Sequence, residues 1–413
     1  MKILMISPDL NYPPIYGGRI RRYNLLKYLS KNNNITLLSF IKTKEDLRNI
    51  EGIKEYCNAV ETVLISSNSV KDRLISKFRK AFLYRFFFYP EIVLSFYSKK
   101  MKKKIKELLS KSHYDLVLIE YWYMGQYVDS CKKFITVLDE VDVEFLRWQQ
   151  LVEIEKDIAK RRYALSLYRR VKRYELKVVK KFDSILAVTS KDKDILIKYN
   201  RDLNISVIPP CVDTSYFKPA TVQNNSKSLV FVGSMSAIFN SDAMLYFCRE
   251  ILPLILKKIP EVHLYIVGLN PPQEIINLAD KNVTITGTVD DIRPYVYKAS
   301  VFVAPLRFGS GIKGKVLEAM ALGRPVVTTS IGAQGLSVVS GKHLIIEDDH
   351  QKFAAKTIEL LSNDDLRQKL IKNGLKLVNE KYTWDMIIPE LNKILHELVV
   401  NKKERKNDKA KRN

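Results

Sequence analysis

The chain alternates between short apolar runs and longer amphipathic stretches, and this alternation occurs twice. In the first half, the apolar runs are residues 3–7, 35–40, 116–119, 135–138 and 185–188. In the second half, they are residues 229–232, 264–267, 283–285, 301–304, 326–329 and 344–346. Near-continuous apolar runs are typical of parallel strands that helices cover on both faces. The pattern therefore predicts an α/β fold with two doubly wound, Rossmann-like domains.

The break between the two halves lies at residues 212–225, where prolines and a Gln-Asn-Asn-Ser run interrupt the pattern. We therefore expect one domain over residues 1–212 and a second over residues 213–385. A last helix is expected over residues 386–401. Residues 402–413 are almost wholly polar and strongly basic, which predicts a disordered tail.

The composition is that of a globular protein. The chain has 413 residues, enough for two cores, of which 46% are hydrophobic and 28% charged. The four cysteines have no metal-binding spacing, which favours a reducing compartment over a structural zinc site. The start of the chain has too short an apolar core for a signal peptide, and no uncharged apolar run approaches the ~18 residues of a membrane span. We expect a cytoplasmic protein.

The net charge of +24 is concentrated in two segments. Residues 71–111 hold 13 Lys or Arg among many aromatic side chains, and residues 156–181 hold 11. Such mixtures suit the surface of an anionic bilayer, so we expect peripheral contact with the inner face of the plasma membrane. The alternative is a solvated helix face whose aromatic side chains belong to the core. Nucleic acid also attracts positive charge, but no nucleic-acid-binding module is recognisable, and we expect no such partner.

The most informative segment follows the strand predicted at residues 301–304. It is a loop with three glycines, Lys313 and Lys315, and it leads into apolar residues at helical spacing over 316–322. The start of a helix offers unpaired N–H groups and a positive dipole end. Together with Arg307 and the two lysines, this predicts a phosphate or diphosphate site. Glu318, about a turn into the helix, is expected to accept hydrogen bonds from the paired hydroxyls of a sugar.

Other candidate residues stand at the predicted carboxyl ends of strands, where doubly wound sheets bind ligands. Gly17 and Gly18 are expected in an extended loop before a helix over residues 20–29, and they permit close approach of a ligand. Gly233 and Ser234 follow the strand at 229–232 in the same way. Asp139 and Asp142 follow the strand at 135–138 as active-site groups, with a plain charged loop as the alternative.

Two acids resemble a metal-binding Asp-x-Asp motif but have a simpler interpretation. Asp192 and Asp194 follow Thr189 and Ser190 at the start of a helix. Acids and hydroxyl side chains are favoured at this position because they satisfy the first N–H groups and the dipole. We therefore interpret the motif as a helix cap, with Ser190 as the capping residue.

Residues 301–336 resemble the C-terminal signature of GT-B-fold glycosyltransferases of family 4, also called group 1. The loop is similar to the branch that reads Gly-x-Gly-x-Lys-x-Lys-x-Leu-Glu. Further matching segments extend the resemblance over about residues 1–385. They are residues 13–18, 207–219, 231–235, 267–268, 286–291 and 381–384.

The resemblance implies a GT-B fold, in which two Rossmann-like domains face each other across a cleft. It implies that residues 1–212 form the acceptor side, that residues 213–385 bind the nucleotide-sugar donor, and that the helix at 386–401 crosses back to the N-terminal domain. The implied activity is retaining transfer of a sugar to a glycan or lipid-linked acceptor in cell-surface polysaccharide synthesis. No metal or other cofactor is expected, because cationic side chains and N–H groups stabilise the departing diphosphate.

With the resemblance, the candidate residues acquire roles. Asp139 and Asp142 are the catalytic candidates. The substrate-binding candidates are Gly17, Gly18, Gly233, Ser234, Arg307, Ser310, Gly311, Lys313, Lys315 and Glu318.

The chain departs from the family pattern at several positions. Val141 stands where the family often has a histidine, and Ser310 stands where most members have a glutamate. Ser234, Met235 and Asn240 stand where many members carry basic residues after the glycine. These departures keep open a non-catalytic binding or scaffold protein with the same fold. A nucleic-acid-binding protein and an epimerase on this fold are further alternatives.

Overall fold

The fold is seen in a computed structural model that describes residues 1–14, 17–65, 89–220, 227–309 and 311–412. The chain divides into two compact units. Unit 1 comprises Met1–Pro209 and Ile388–Asn413, and unit 2 comprises Pro210–Ile387.

Unit 1 contains a seven-stranded parallel sheet with the order β3-β2-β1-β4-β5-β6-β7. Its strands are β1 Lys2–Ser7, β2 Asn34–Ile41, β3 Ala59–Leu64, β4 Leu116–Glu120, β5 Ile135–Glu140, β6 Ser184–Ala187 and β7 Ile205–Val207. Within the described residues before 209, its α-helices are Gly17–Leu29, Glu91–Ser95, Lys99–Lys111, Glu144–Ile154, Ile158–Val179 and Ser190–Tyr199. Short 3-10 segments lie at Lys44–Ile50, Lys54–Tyr56 and Trp122–Ser130.

Unit 2 contains a six-stranded parallel sheet with the order β10-β9-β8-β11-β12-β13. Its strands are β8 Ser228–Val232, β9 His263–Val267, β10 Val283–Gly287, β11 Val301–Ala304, β12 Val326–Thr328 and β13 Ile345–Ile346. Its helices are Ile238–Tyr246, a π-helical turn at Phe247–Ile251, Leu252–Leu256, Gln273–Ile276, Arg293–Lys298, Gly314–Ala321, His350–Ser362 and Asp364–Lys381.

The predicted fold class is confirmed by these two doubly wound sheets. The central strands are fully buried; β4, for example, is buried at every position. Such strands have helices on both faces, which explains their uninterrupted apolar sequences. In each sheet the strand order reverses once, between β1 and β4 in unit 1 and between β8 and β11 in unit 2. These reversals are the switch points at which such folds bind ligands.

The last helix, Trp384–Arg412, runs from the end of unit 2 into unit 1. Its residues Leu391 and Leu395 are fully buried, and Asn392 accepts a hydrogen bond of 2.8 Å from the Asn33 side chain. The helix continues through Arg412, whereas the sequence predicted disorder from residue 402. The final residues include no proline or glycine after Pro389, and Lys, Arg and Glu are good helix formers.

No helix within the described ranges combines the length and the apolar character that crossing a bilayer requires.

Candidate functional site

The switch point of unit 2 brings together most of the residues predicted for the donor. Gly233 directly follows β8, and the loop from Pro305 to Lys313 directly follows β11. The loop ends at helix Gly314–Ala321, which has no side-chain cap at its N-terminus. Of its first three N–H groups, that of Val316 already donates to the Lys313 carbonyl at 2.9 Å, so those of Gly314 and Lys315 are the candidates for contact with an anion. The loop backbone reaches this position through Gly309 and Gly311, whose φ angles of 133° and 67° favour glycine.

Gly233 allows two close approaches at once. A side chain there would place Cβ 2.5 Å from Nζ of Lys315, so the lysine occupies the space that a larger residue would fill. On its other side, a Cβ on Gly268 would lie 1.8 Å from the Gly233 carbonyl oxygen. The two glycines therefore let the ends of β8 and β9 and the lysine meet at one point.

Lys315 is held in a defined position. Its Nζ donates a hydrogen bond of 2.6 Å to Oδ1 of Asn240 and lies 4.2 Å from the centre of the Phe231 ring. Burial lowers the pKa of Lys315 to about 7, and the charge of Lys313 acts in the same direction. Glu318, one turn along the same helix, partly opposes this shift. Burial raises the pKa of Glu318 itself to about 7. Binding of an anion here would therefore favour uptake of a proton by the lysine.

Lys313 and Arg307 are engaged by groups of unit 2. Lys313 is buried, and its Nζ donates to the Gly311 carbonyl at 3.0 Å. Arg307 forms an ion pair with Asp242, in which Nε donates to Oδ2 at 2.9 Å, and it stacks on the ring of Tyr246. Arg307 is therefore paired with an acid of unit 2. Asp242 is not among the residues predicted from the sequence.

The two remaining candidates of unit 2 are Ser234 and Ser310. The Ser234 carbonyl accepts a hydrogen bond of 2.8 Å from the Asn240 side chain, and its hydroxyl lies 2.8 Å from that of Ser236. Ser310, the residue at the family's glutamate position, lies outside the described residues.

In unit 1, Gly17 and Gly18 are the first residues of helix Gly17–Leu29, and the extended loop predicted for them is wrong. The helical start is fixed by the arginines that follow. Nε of Arg22 donates to the Gly18 carbonyl at 3.3 Å, and its guanidinium bonds Ser7 Oγ at 2.8 Å and Asp9 Oδ1 at 2.8 Å. These bonds tie the start of the helix to the end of β1.

Asp139 is buried in a strand and does not lie in an exposed loop. It belongs to β5, which extends through Glu140, two residues beyond the predicted end. Its carboxylate is fully buried, and both oxygens accept hydrogen bonds from Arg21, at 3.3 and 2.8 Å. Arg21 also donates to the Ile208 carbonyl at 3.1 Å. Asp139 therefore forms a buried ion pair with Arg21 through both of its oxygens.

Buried carboxyl groups surround the end of β5. Burial and the neighbouring Glu175 carboxylate raise the pKa of Glu140 well above its usual value. Glu175 accepts hydrogen bonds from the N–H groups of Glu144, at 2.9 Å, and Phe145, at 3.2 Å. It therefore caps helix Glu144–Ile154. Burial also raises the pKa of Glu144 to about 7, although its side chain keeps some solvent exposure. Asp142, half-buried, lies between β5 and this helix.

A further buried acid lies at the switch point of unit 1. Glu120 is the last residue of β4 and lies 3.6 Å from the guanidinium of Arg22. Arg22 belongs to helix Gly17–Leu29, which follows β1. Burial raises the pKa of Glu120 to about 7. The sequence gives no signal for this pair, since its two members are far apart in the chain.

The interpretation of Asp192 as part of a helix cap is confirmed, with Thr189 in place of Ser190 as the capping residue. The Thr189 hydroxyl oxygen accepts a hydrogen bond of 2.9 Å from the Asp192 N–H, at the start of helix Ser190–Tyr199. The same hydroxyl donates to Asp192 Oδ2 at 2.6 Å.

The two basic segments differ in what the structure describes. Residues 71–88 of the first lie outside the described residues. The second coincides with helix Ile158–Val179, whose first six residues are exposed on all sides. Ile158 is 69% exposed and Tyr163 is 57% exposed, and basic side chains stand between them. Further along, Val171 and Tyr174 pack into the core of unit 1.

Comparison with known proteins gives matches for both the sequence and the fold. The family model described as glycosyl transferases group 1 matches residues 226–363. An uncharacterized 44.6 kDa protein in the cps region of Klebsiella pneumoniae is 24% identical over 400 residues, 92% of this chain and 96% of that protein. The capsular polysaccharide biosynthesis glycosyltransferase CapM of Staphylococcus aureus is 31% identical over 147 residues, 33% of this chain and 38% of that protein.

Among solved structures, Anabaena HepE in complex with UDP and glucose superposes with a TM-score of 0.67. The match covers 96% of this chain and 100% of HepE at 13% identity, and it shows the fold. The matched residues lie within unit 2, which contains the glycine- and lysine-rich loop. The resemblance is thus confirmed: residues 226–363 match the glycosyl transferases group 1, and the chain has a GT-B fold.

Proposed function

We propose that this glycosyltransferase moves a sugar, with retention of configuration, from a nucleotide-sugar to a glycan or lipid-linked acceptor of a cell-surface polysaccharide. One observation carries the donor assignment: the Lys315 ammonium lies against Gly233 at the switch point of unit 2. Glu318 follows one turn later, where it would accept hydrogen bonds from sugar hydroxyls.

The charges at this site suit a departing nucleoside diphosphate. Lys313, Lys315 and the uncapped N-terminus of helix Gly314–Ala321 supply positive charge and N–H donors where negative charge develops. We propose that these groups stabilise the leaving diphosphate without a metal ion. HepE binds UDP and glucose, which supports UDP-sugars as the first donors to test.

The acceptor and the catalytic acid are proposed on other grounds. CapM is named for capsular polysaccharide biosynthesis, and this similarity supports a cell-surface polysaccharide as the product. Retention follows from the family resemblance. Asp142 is the more suitable of the two predicted catalytic acids, because Asp139 is buried in its ion pair with Arg21.

We also propose that unit 1 contacts an anionic membrane from the cytoplasmic side. The start of helix Ile158–Val179 exposes Ile158 and Tyr163, with Lys160, Arg161 and Arg162 between them. Apolar side chains that enter the headgroup region, next to cations that meet lipid phosphate, are typical of peripheral contact.

Isothermal titration with UDP tests the donor site. We expect Lys315→Ala and Glu318→Ala each to weaken binding about tenfold or more, because hydrogen bonds to charged groups are among the stronger ones. Lys281→Ala, at an exposed lysine of unit 2, is the matched control and should bind as the wild type does. Unchanged affinity in both site variants would remove the assignment. Turnover of UDP-sugars with membrane-lipid extracts should continue in EDTA, and loss of turnover would contradict metal independence.

Vesicle sedimentation tests the membrane contact. We expect Ile158→Ser combined with Tyr163→Ser to reduce binding to vesicles that contain phosphatidylserine. Ile276→Ser, at an exposed isoleucine of unit 2, should have no effect. Equal binding of the wild type to neutral and anionic vesicles would contradict the proposal.

A further inference from the structure

We propose that Asn240 is the positioning residue of the donor site, and that it orients Lys315 toward the diphosphate without cancelling its charge. This inference rests on the proposed function, because the diphosphate is the ligand that the lysine would meet. It concerns a position at which the family often carries a basic residue.

The amide of Asn240 uses both of its ends. The residue is 3% exposed and lies in the first turn of helix Ile238–Tyr246. Its Nδ2 donates to the Ser234 carbonyl at 2.8 Å, and its Oδ1 accepts from Nζ of Lys315 at 2.6 Å. Since a carbonyl must take the donor end and an ammonium the acceptor end, the amide has one orientation that satisfies both. Asn240 thereby joins the loop after β8 to the helix after β11.

The rest of the surroundings hold the ammonium in the same position. The Phe231 ring lies 4.2 Å from Nζ, a distance that gives a favourable cation–π contact. Gly233 leaves the space in which the ammonium lies. A lysine side chain has many rotamers, and fixing them before the ligand arrives lowers the entropy that binding must overcome.

The chemistry of the amide explains why asparagine suits this position. A lysine or arginine at position 240 would repel Lys315 at this distance, and an aspartate would neutralise it. The neutral oxygen of an amide orients the ammonium and leaves its charge for the ligand. Arg307 shows the contrast, because its partner from the same helix is a carboxylate, Asp242.

The charge state of Lys315 provides a readout that a merely structural asparagine would not change. The charged groups that act on Lys315 are Glu318 on its own helix and Lys313 just before it, and the pKa of Lys315 is lowered to about 7. If UDP requires the charged lysine, its affinity should fall about fivefold between pH 7 and pH 8. Asn240→Asp places a carboxylate beside Nζ and should raise the lysine pKa by about one unit or more. The fall over the same range should then be less than about twofold.

Titration calorimetry of the full chain with UDP at several pH values tests this. We expect Asn240→Ala to weaken binding about tenfold at pH 6.5, because Lys315 loses its hydrogen bond. Asn240→Asp should reduce the pH dependence of UDP affinity, whatever the affinity of this variant at low pH. Comparing each variant with the wild type at the same pH removes the contribution of UDP's own titration. Asn277→Asp, the same change at an exposed asparagine of unit 2, should keep the wild-type profile.

A second measurement needs no nucleotide. The rate at which acetic anhydride modifies Lys315, followed by mass spectrometry across pH, reports the pKa of the lysine directly. We expect a midpoint near 7 in the wild type and a higher one in Asn240→Asp. Thermal unfolding of each variant shows whether it is folded.

The outcomes separate this inference from the function on which it rests. If the wild type does not bind UDP or another nucleotide, the donor assignment fails, and the labelling profile still tests the role of Asn240. If the wild type binds UDP and folded Asn240 variants keep its affinity and pH profile, the inference is overturned. An unchanged labelling midpoint in Asn240→Asp overturns it as well.

Discussion

Replacing Asp139 by alanine is expected to destabilise unit 1, and the effect distinguishes a structural role from a catalytic one. The variant leaves the guanidinium of Arg21, which is 5% exposed, without the carboxylate that accepts two of its hydrogen bonds. Removing one partner of a buried ion pair costs about 3–5 kcal/mol. Arg21 keeps its bond to the Ile208 carbonyl, so we expect the lower end, about 3 kcal/mol.

Hydrogen exchange followed by mass spectrometry measures this effect in one unit at a time. A loss of 3 kcal/mol should accelerate exchange in β5 about 100-fold, since about 1.4 kcal/mol corresponds to a factor of ten. Exchange in β11 of unit 2 provides the reference within the same molecule. Asp194→Ala removes an exposed carboxylate of unit 1 and should change the stability by less than about 0.5 kcal/mol.

A double variant tests whether the lost stability comes from the unpaired Arg21 guanidinium. Replacing both members, as in Asp139→Leu with Arg21→Met, should recover much of the lost stability, because apolar replacements of buried pairs are often neutral or better. Wild-type exchange in β5 of Asp139→Ala, together with complete loss of sugar transfer, would refute the structural reading and restore the catalytic one.

Two further predictions concern stability. Glu140→Gln should stabilise unit 1 more at pH 8 than at pH 5 in urea unfolding. The folded state binds the Glu140 proton more tightly than the unfolded chain does, so ionisation as the pH rises costs folded-state stability, and an equal effect at both pH values would contradict this. Gly268→Ala should destabilise unit 2 by about 3 kcal/mol or more, because its φ is 152° and Cβ would lie 1.8 Å from the Gly233 carbonyl oxygen. Gly341→Ala, with a φ of 76° and open space around it, should cost only about 1 kcal/mol, and similar losses in both variants would show that the clash is relieved.

The sequence predicted the central strands well because they are buried on both faces. The two strands that it missed, β3 and β7, are the edge strands of unit 1. Edge strands are short or carry polar residues, such as Glu61 in β3, and their pattern is weak for that reason. The end of β5 was misplaced for a related reason. Asp139 and Glu140 look like loop residues until the buried partners that satisfy Asp139 and surround Glu140 are known.

The candidate site was predicted in part, and the missing part has a common cause. The lysines of the loop before helix Gly314–Ala321 could be predicted from the local sequence. The apolar strand before the loop indicates that they lie at the end of a sheet. Their partners lie elsewhere in the chain: Asn240 is 75 residues from Lys315, and Asp242 is 65 residues from Arg307. A single sequence gives no signal for such pairs, because only the folded sheet brings β8 and β11 side by side.

The last helix begins in unit 2 and ends in unit 1, and this has a consequence for the order in which the two units fold during synthesis. All of unit 2 is synthesised before Ile388, whereas unit 1 lacks its final segment until residues 388–412 have been added. The usual order, in which the N-terminal domain folds first during synthesis, is therefore reversed for the finishing step. Until then, the surface that Leu391, Leu395 and Val399 will cover stays open on a nascent unit 1. A truncation that removes residues 388–412 would extend that state indefinitely, so an N-terminal fragment ending at Pro209 is a poor choice for expression.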